Sequence, residues 1–261
     1  MHIVCIHAHP DDAEILAAGT LAILARLGHR ITIVTMTAGD CGSSTLGPAE
    51  ISALRMEEAR ASADLINANY LCAGFKDLSI FNDDESRRRV TGILRELRPD
   101  IVLTAAPSDY LSDHEATSQL VRDAGFAAAV PNYRTSAGAA PLTAIPHLYF
   151  LDPIAQSDRT GASVTPDFTI DIASSFPTKR AMLAKHESQR EWLKQQHGMD
   201  DYLTQMEEWT RTRGAAAGIT LGEGFRQYTV HPYPASPALQ EILAAFLAPV
   251  TADREAAAPL R

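Results

Sequence analysis

The stretch His2 to Glu14, His-Ile-Val-Cys-Ile-His-Ala-His-Pro-Asp-Asp-Ala-Glu, constrains this fold more than any other. Ile3 to Ile6 is an apolar run of strand length. A short polar loop follows with His9, Asp11 and Asp12, and then Ile15, Leu16, Leu21 and Leu24 recur at helical spacing as far as Gly28. Strand, loop and helix in that order make a βα unit of an α/β domain. The loop lies at the carboxyl end of a strand and the amino end of a helix. Open α/β sheets bind ligands there, and free N–H groups and the helix dipole favour negative charge. Three ionisable side chains in that loop point to a site.

The same alternation continues. The residues predict strands at Arg30 to Thr37 and Tyr70 to Phe75, a fourth opening after Pro99, one at Leu148 to Leu151 and an extended segment at Phe168 to Ile172. They predict helices over Pro48 to Leu65, Asp84 to Leu97, His114 to Ala129, a long one from Pro177 through Leu183, His186 and Trp192, then Tyr202 to Arg213 and Pro237 to Leu247. Glu223 to Arg226 reads as a Gly-rich loop. The expected fold is a three-layer α/β/α sandwich, Rossmann-like, with a mostly parallel sheet. Residues 1–248 are expected to form one domain, with 249–261 a flexible Ala-rich tail.

The formal net charge of −9 argues against a nucleic-acid surface, and the one basic run, Arg87 to Arg89, fits a solvated helix face. No segment approaches the roughly 20 apolar residues of a membrane span. The start has no basic region or cleavage site, so a cytoplasmic location is expected. Three cysteines without CxxC spacing suit reduced, mostly buried thiols.

His9 and Asp12, three apart across the loop–helix junction, allow an imidazole and a carboxylate to converge on one ion. His114 follows the fourth strand in the equivalent place, and two His with one carboxylate is a common catalytic zinc set. On spacing alone the alternative is open: a helix cap at His9 or Asp12 and a surface histidine at 114.

Ala8-His9-Pro10-Asp11-Asp12-Ala13-Glu14 after a first strand resembles the signature of the LmbE-like (PIG-L) N-acetylglucosaminyl deacetylases. The resemblance continues in Arg55-x-x-Glu58, Asp113-His114 and Lys179 through His186-x-Ser188-Gln189. It implies one Zn2+ (or another divalent metal) per chain on His9, Asp12 and His114, a metal-bound water as nucleophile, and Asp11 as general base. It also implies an amino-sugar conjugate as substrate, loss of a small acyl group, and kinship with proteins that are often homo-oligomers.

One departure stands out. The family usually has His-Pro-Asp-His at the fourth-strand site, where this chain has Leu111-Ser112-Asp113-His114. Leucine can neither stabilise an oxyanion nor protonate an amine. The proton then comes from Asp11 itself or from His186, His197 or His231. The other expectation is a catalytically impaired, metal-dependent sugar-binding or regulatory module. A nucleotide-dependent oxidoreductase is disfavoured, since no Gly-x-Gly-x-x-Gly follows the first strand.

Among supporting residues, Asp113 is expected either to orient a neighbour or to cap the next helix, and Glu14 to hold the loop. Arg55 is expected to clamp substrate or to pair with Glu58. Asp40, Asp77 and His186 are candidate substrate contacts. His7 reads as a packed strand histidine, Trp192, Tyr202 and Trp209 as packing or sugar-stacking aromatics, and Glu223 to Arg226 as a closing loop.

Overall fold

The computed structural model describes residues 1–136, 138–190 and 202–249. Seven strands form one sheet in the order β3-β2-β1-β4-β5-β7-β6. These are β1 His2–His7, β2 Arg30–Thr37, β3 Asn69–Phe75, β4 Ile101–Thr104, β5 His147–Leu151, β6 Phe168–Asp171 and β7 Gly222–Tyr228. β1 to β5 run parallel, with Ile3 opposite both Ile31 and Ile101. β7 is antiparallel to β5 and β6.

Seven α-helices are described: α1 Asp12–Arg26, α2 Pro48–Asp64, α3 Asp84–Leu97, α4 Ser112–Ala128, α5 Phe176–Leu183, α6 Tyr202–Ala216 and α7 Ala238–Ile242. Their starts follow local chemistry. Pro48 opens α2, and Asp83 caps α3 by accepting from Ser86 N at 2.8 Å. Alternation along β1 sorts the two core layers. Ile3 and Cys5 join Leu21 of α1 and Met182 of α5, while Val4 and Ile6 join Leu94 of α3 and Val121 of α4. The expected three-layer α/β/α architecture is the observed one.

Four expectations are corrected. The long helix expected from Pro177 through His186 and Trp192 is interrupted after Leu183, at 184–186. Gly222 to Tyr228 is a strand and not a loop, because its glycines make room for neighbours. A Cβ on Gly222 would lie 2.7 Å from Thr169 Cγ2, and one on Gly224 would strike the Asp152 carboxylate. Glu223 closes over nothing. It is 3% exposed, and its carboxylate accepts from Lys179 Nζ at 2.6 Å and from Gly19 N and Thr20 N inside α1. The predicted last helix is a short α7 followed by a 3-10 turn at Ala244–Phe246. Trp192, His197 and residues from 250 onward lie outside the described residues.

The thiols of Cys5, Cys41 and Cys72 are unpaired, and Cys41 is exposed rather than buried. Among the described residues no helix is long and apolar enough to cross a membrane.

Candidate active site

The strand order reverses between β1 and β4, and the loops leaving those two strands meet at their carboxyl ends. That crevice is the ligand position of an open α/β sheet. The junction of β1 and α1 brings His7, His9, Asp11 and Asp12, and the β4–α4 loop with the first turn of α4 brings Asp109, Tyr110, Leu111, Asp113 and His114. Ligand atoms of His7, Asp12 and His114 all lie within 4.8 Å of one another. The Asp12 Oδ2 atom is 2.7 Å from His7 Nδ1, 3.3 Å from His9 Nδ1 and 3.4 Å from His114 Nε2.

These separations divide the histidines. Ligand atoms bonded to one tetrahedral zinc at about 2.0–2.1 Å sit roughly 3.3–3.4 Å apart. His9 and His114 each meet that spacing to Asp12, but His9 lies outside the mutually close cluster of His7, Asp12 and His114, and His7 stands at hydrogen-bond distance. His9 and Asp12 also line the cavity in front of the cluster, while His7 and His114 are each 1% exposed and stand behind that cavity. His7 Nε2 and both ring nitrogens of His114 are buried without a hydrogen bond. Two imidazoles and a carboxylate with unsatisfied nitrogens are a donor set that fits a divalent cation.

Asp11 is set apart by its backbone. Its φ of 109° is left-handed, rare for a residue with a Cβ and a source of strain at functional sites. As N-cap of α1 its carboxylate makes no capping bond. Instead Oδ2 accepts from the Tyr202 hydroxyl at 2.5 Å, with Arg55 Nη2 at 3.5 Å. Arg55 Nη2 also donates to Pro10 O at 2.7 Å. Gly39 and Gly42 carry no Cβ, which leaves space for that guanidinium. Glu58 does not pair with Arg55, since it accepts from Ser188 N at 2.8 Å and Ser188 Oγ at 2.6 Å.

A second ring of groups orients the first. Asp113 stands in the first turn of α4, behind the N-cap Leu111, and its Oδ2 faces His9 Nε2 at 3.2 Å and Leu78 N at 2.7 Å. Asp109 Oδ2 lies 3.2 Å from His114 Nδ1 and accepts from Ile154 N at 3.1 Å. Glu14 accepts from Ser62 Oγ at 2.6 Å and pairs with His186 Nε2 at 3.2 Å.

Burial acts on every charge here, and the neighbours decide the outcome. It pushes Asp12 up, but His7 and His114 more than offset it and hold the carboxyl well below the usual range. It pushes Asp11 up too, and Arg55 and Tyr202 only partly counter this, so Asp11 is raised. Burial lowers His9, yet hydrogen bonds to Asp113 and Asp12 carry it up to about 10. His114 is likewise raised by Asp12 and Asp109 against burial. The site thus concentrates negative potential on ring nitrogens, which suits a bound cation.

The cavity above this floor has a volume of about 440 Å³. His9, Asp11, Asp12, Arg55 and Asp77 reach its wall, with Tyr110, Leu111, Ile154, Tyr202 and Trp209. Two expected substrate contacts do not reach it. Asp40 turns aside to accept from Asp77 N at 2.9 Å and to pair with Lys76, and His186 is buried against Glu14. His231 lines another cavity, beside Arg122 and Tyr233. Sequence reasoning missed Asp109, the partner of His114, and the hydroxyl role of Tyr202. A carboxylate five residues before His114 in one loop was the available signal for the former. Tyr202 is 191 residues from Asp11 in sequence and gave none.

Residues 4–125 match the family model described as PIG-L: GlcNAc-PI de-N-acetylase. The chain is 28% identical over 195 residues to diacetylchitobiose deacetylase of Thermococcus kodakarensis, covering 72% of this chain and 69% of that protein. It is 24% identical over 186 residues to 4-oxalmesaconate hydratase of Pseudomonas putida, covering 68% and 70%. The structure of N,N'-diacetylchitobiose deacetylase from Pyrococcus horikoshii superposes with a TM-score of 0.74 at 24% identity, over 91% of this chain and 88% of that one.

Proposed function

The chain carries a PIG-L (LmbE-like) family domain, and from that premise we propose that it is a metal-dependent hydrolase that removes a small acyl group, acetyl in the simplest case, from an N-acylated amino sugar or its conjugate. The observation that carries the reading is the setting of Asp11. It adjoins Asp12, yet its strained backbone turns its carboxylate to Tyr202 on the cavity wall.

His9, Asp12 and His114 would hold the divalent ion, with Asp113 and Asp109 fixing the two imidazoles and His7 fixing Asp12. When bound, such an ion supplies Lewis acidity, which acidifies water and polarises the amide carbonyl. The chain's own residues manage the protons. Asp11 accepts a proton from water as its oxygen bonds to the carbonyl carbon. Tyr202 and Arg55 keep that carboxylate aimed and partly offset the cost of its burial. As the C–N bond breaks, Asp11 returns the proton to the departing nitrogen, so acid and amine leave with atoms balanced. Leu111 offers no proton, and one bifunctional carboxylate meets the requirement.

The hydratase relative favours a second reading, addition of water to an unsaturated carboxylate. The wall weighs against it. Among the described residues of that wall Arg55 is the one guanidinium, and it is already engaged with Pro10 O and Asp11, so a second carboxylate would be bound without a counter-charge of its own. A neutral amide meets no such cost. Offering metal-loaded protein a panel of N-acetylated sugars and a panel of unsaturated dicarboxylates decides between them. Acetate release supports the hydrolase, and loss of the conjugated chromophore without acetate release would establish the hydratase. Sugar binding without any product would favour the binding-module alternative.

A further inference from the structure

We propose that the rim of the cavity is an apolar collar that selects amino sugars carrying an alkyl or aryl group at the anomeric oxygen over the free sugar. The proposal rests on the amide-hydrolase reading of the floor. That reading fixes the acylamino group beside Asp11, and the remote end of the substrate meets the rim.

Leu78, Tyr110, Leu111, Ile154 and Trp209 supply the apolar surface of the cavity above the charged floor. Leu78 is 63% exposed and Tyr110 67% exposed. Leu78 also has a φ of 60°, a left-handed conformation that a leucine rarely adopts. Its N–H donates to Asp113 Oδ2 at 2.7 Å, which holds the backbone in place and presents the side chain at the cavity edge. Neither the exposure nor the backbone favours the fold, whereas an apolar ligand group covering Leu78 would remove that surface from water. The Tyr110 ring stands edge-on to His114, centroids 5.5 Å apart at 83°. α6 lines the cavity with Tyr202, Gln205 and Trp209, which recur on one helix face. A free anomeric hydroxyl leaves this apolar surface in water, whereas an alkyl or aryl group covers it.

The test compares kcat/KM for free N-acetylglucosamine and the octyl and phenyl β-glycosides of N-acetylglucosamine. The account expects the apolar glycosides to lead the free sugar by roughly tenfold or more through KM, since each methylene covered is worth about fourfold. Leu78→Asn and Tyr110→Ala should each shrink that ratio, while Leu65→Ser, exposed on a surface outside the cavity, should not. Asparagine tolerates the left-handed backbone, so Leu78→Asn should melt at or above the wild-type temperature while losing selectivity. Equal kcat/KM on free N-acetylglucosamine and the octyl glycoside, or selectivity that survives both substitutions, would overturn the collar. Octyl glucoside, which has no amide, gives an arm independent of turnover: its binding should weaken in the same two variants. Should no sugar release acetate while octyl glucoside still binds in a Leu78-dependent way, the hydrolase reading fails and the collar stands.

Discussion

The hydroxyl of Tyr202 donates to Asp11 Oδ2 at 2.5 Å, joining a helix late in the chain to the first βα loop. Removing that donor should leave the metal site untouched and impair the base. Tyr202→Phe is expected to lower kcat about 10–100-fold with metal content unchanged, in keeping with the usual size of acid–base contributions. Its hydrogen bond pulls the Asp11 pKa down against burial, so without it the acid limb of the rate profile should move to higher pH. A pH profile of kcat/KM for both proteins checks the direction.

Asp109 should matter through His114 alone. Its carboxylate fixes the imidazole from behind and is fully enclosed. Asp109→Asn is expected to weaken metal affinity about 10–100-fold, the usual loss when such a partner is removed. Competition with a chromophoric chelator measures it. His9→Ala should abolish stoichiometric binding, whereas His7→Gln, which keeps a donor facing Asp12, should only weaken it. The reverse order would assign the ion to His7.

Lys179 and Glu223 form a wholly buried ion pair, 2.6 Å apart, lodged against the middle of α1, where Lys179 also donates to Ile15 O at 2.7 Å. Lys179→Met leaves a carboxylate without its counter-charge and should destabilise by about 3–5 kcal/mol. Adding Glu223→Gln should recover part of that loss. Denaturant unfolding of the single and double variants provides the numbers.

The His186–Glu14 pair gives stability a pH window. Burial pushes Glu14 up, but His186 and Ser62 outweigh it and lower it from 4.5, so its contribution is present above that value and fades as the medium becomes more acid. Burial pushes His186 down, but Glu14 outweighs it and raises it from 6.5, so its contribution is complete below 6.5 and fades as pH rises through the raised value. The melting-temperature difference between wild type and His186→Gln should therefore peak between those values and narrow on both sides. A difference that grows with rising pH would contradict this assignment.

The fold was legible where one rule sufficed. Apolar runs such as Ile3–Ile6 and Arg30–Thr37, each followed by helical spacing, specify parallel βα units, and the loop they create carries His9, Asp11 and Asp12 in one short stretch. β7 was obscured because Gly222 and Gly224 look like loop residues, although they serve close approach to Thr169 and Asp152. Local pattern carries no information about long-range pairing. Tyr202 with Asp11, and Lys179 with Glu223, are contacts between distant segments that only the packed structure displays. In sequence His7 looks like a core residue and it is buried, but as the last residue of β1 it also faces Asp12. His186 looks from its motif like a substrate contact, yet a buried Glu14 claims it.

The central claim is that Asp11 moves the protons of an amide hydrolysis beside a metal held by its neighbours. The most direct measurement is acetate release by wild type and Asp11→Ala, each loaded with zinc and assayed for bound metal. The account predicts one equivalent of metal in both proteins, release by the wild type, and a loss of at least about a hundredfold in the variant. Near-wild-type release by Asp11→Ala with the metal in place would contradict it.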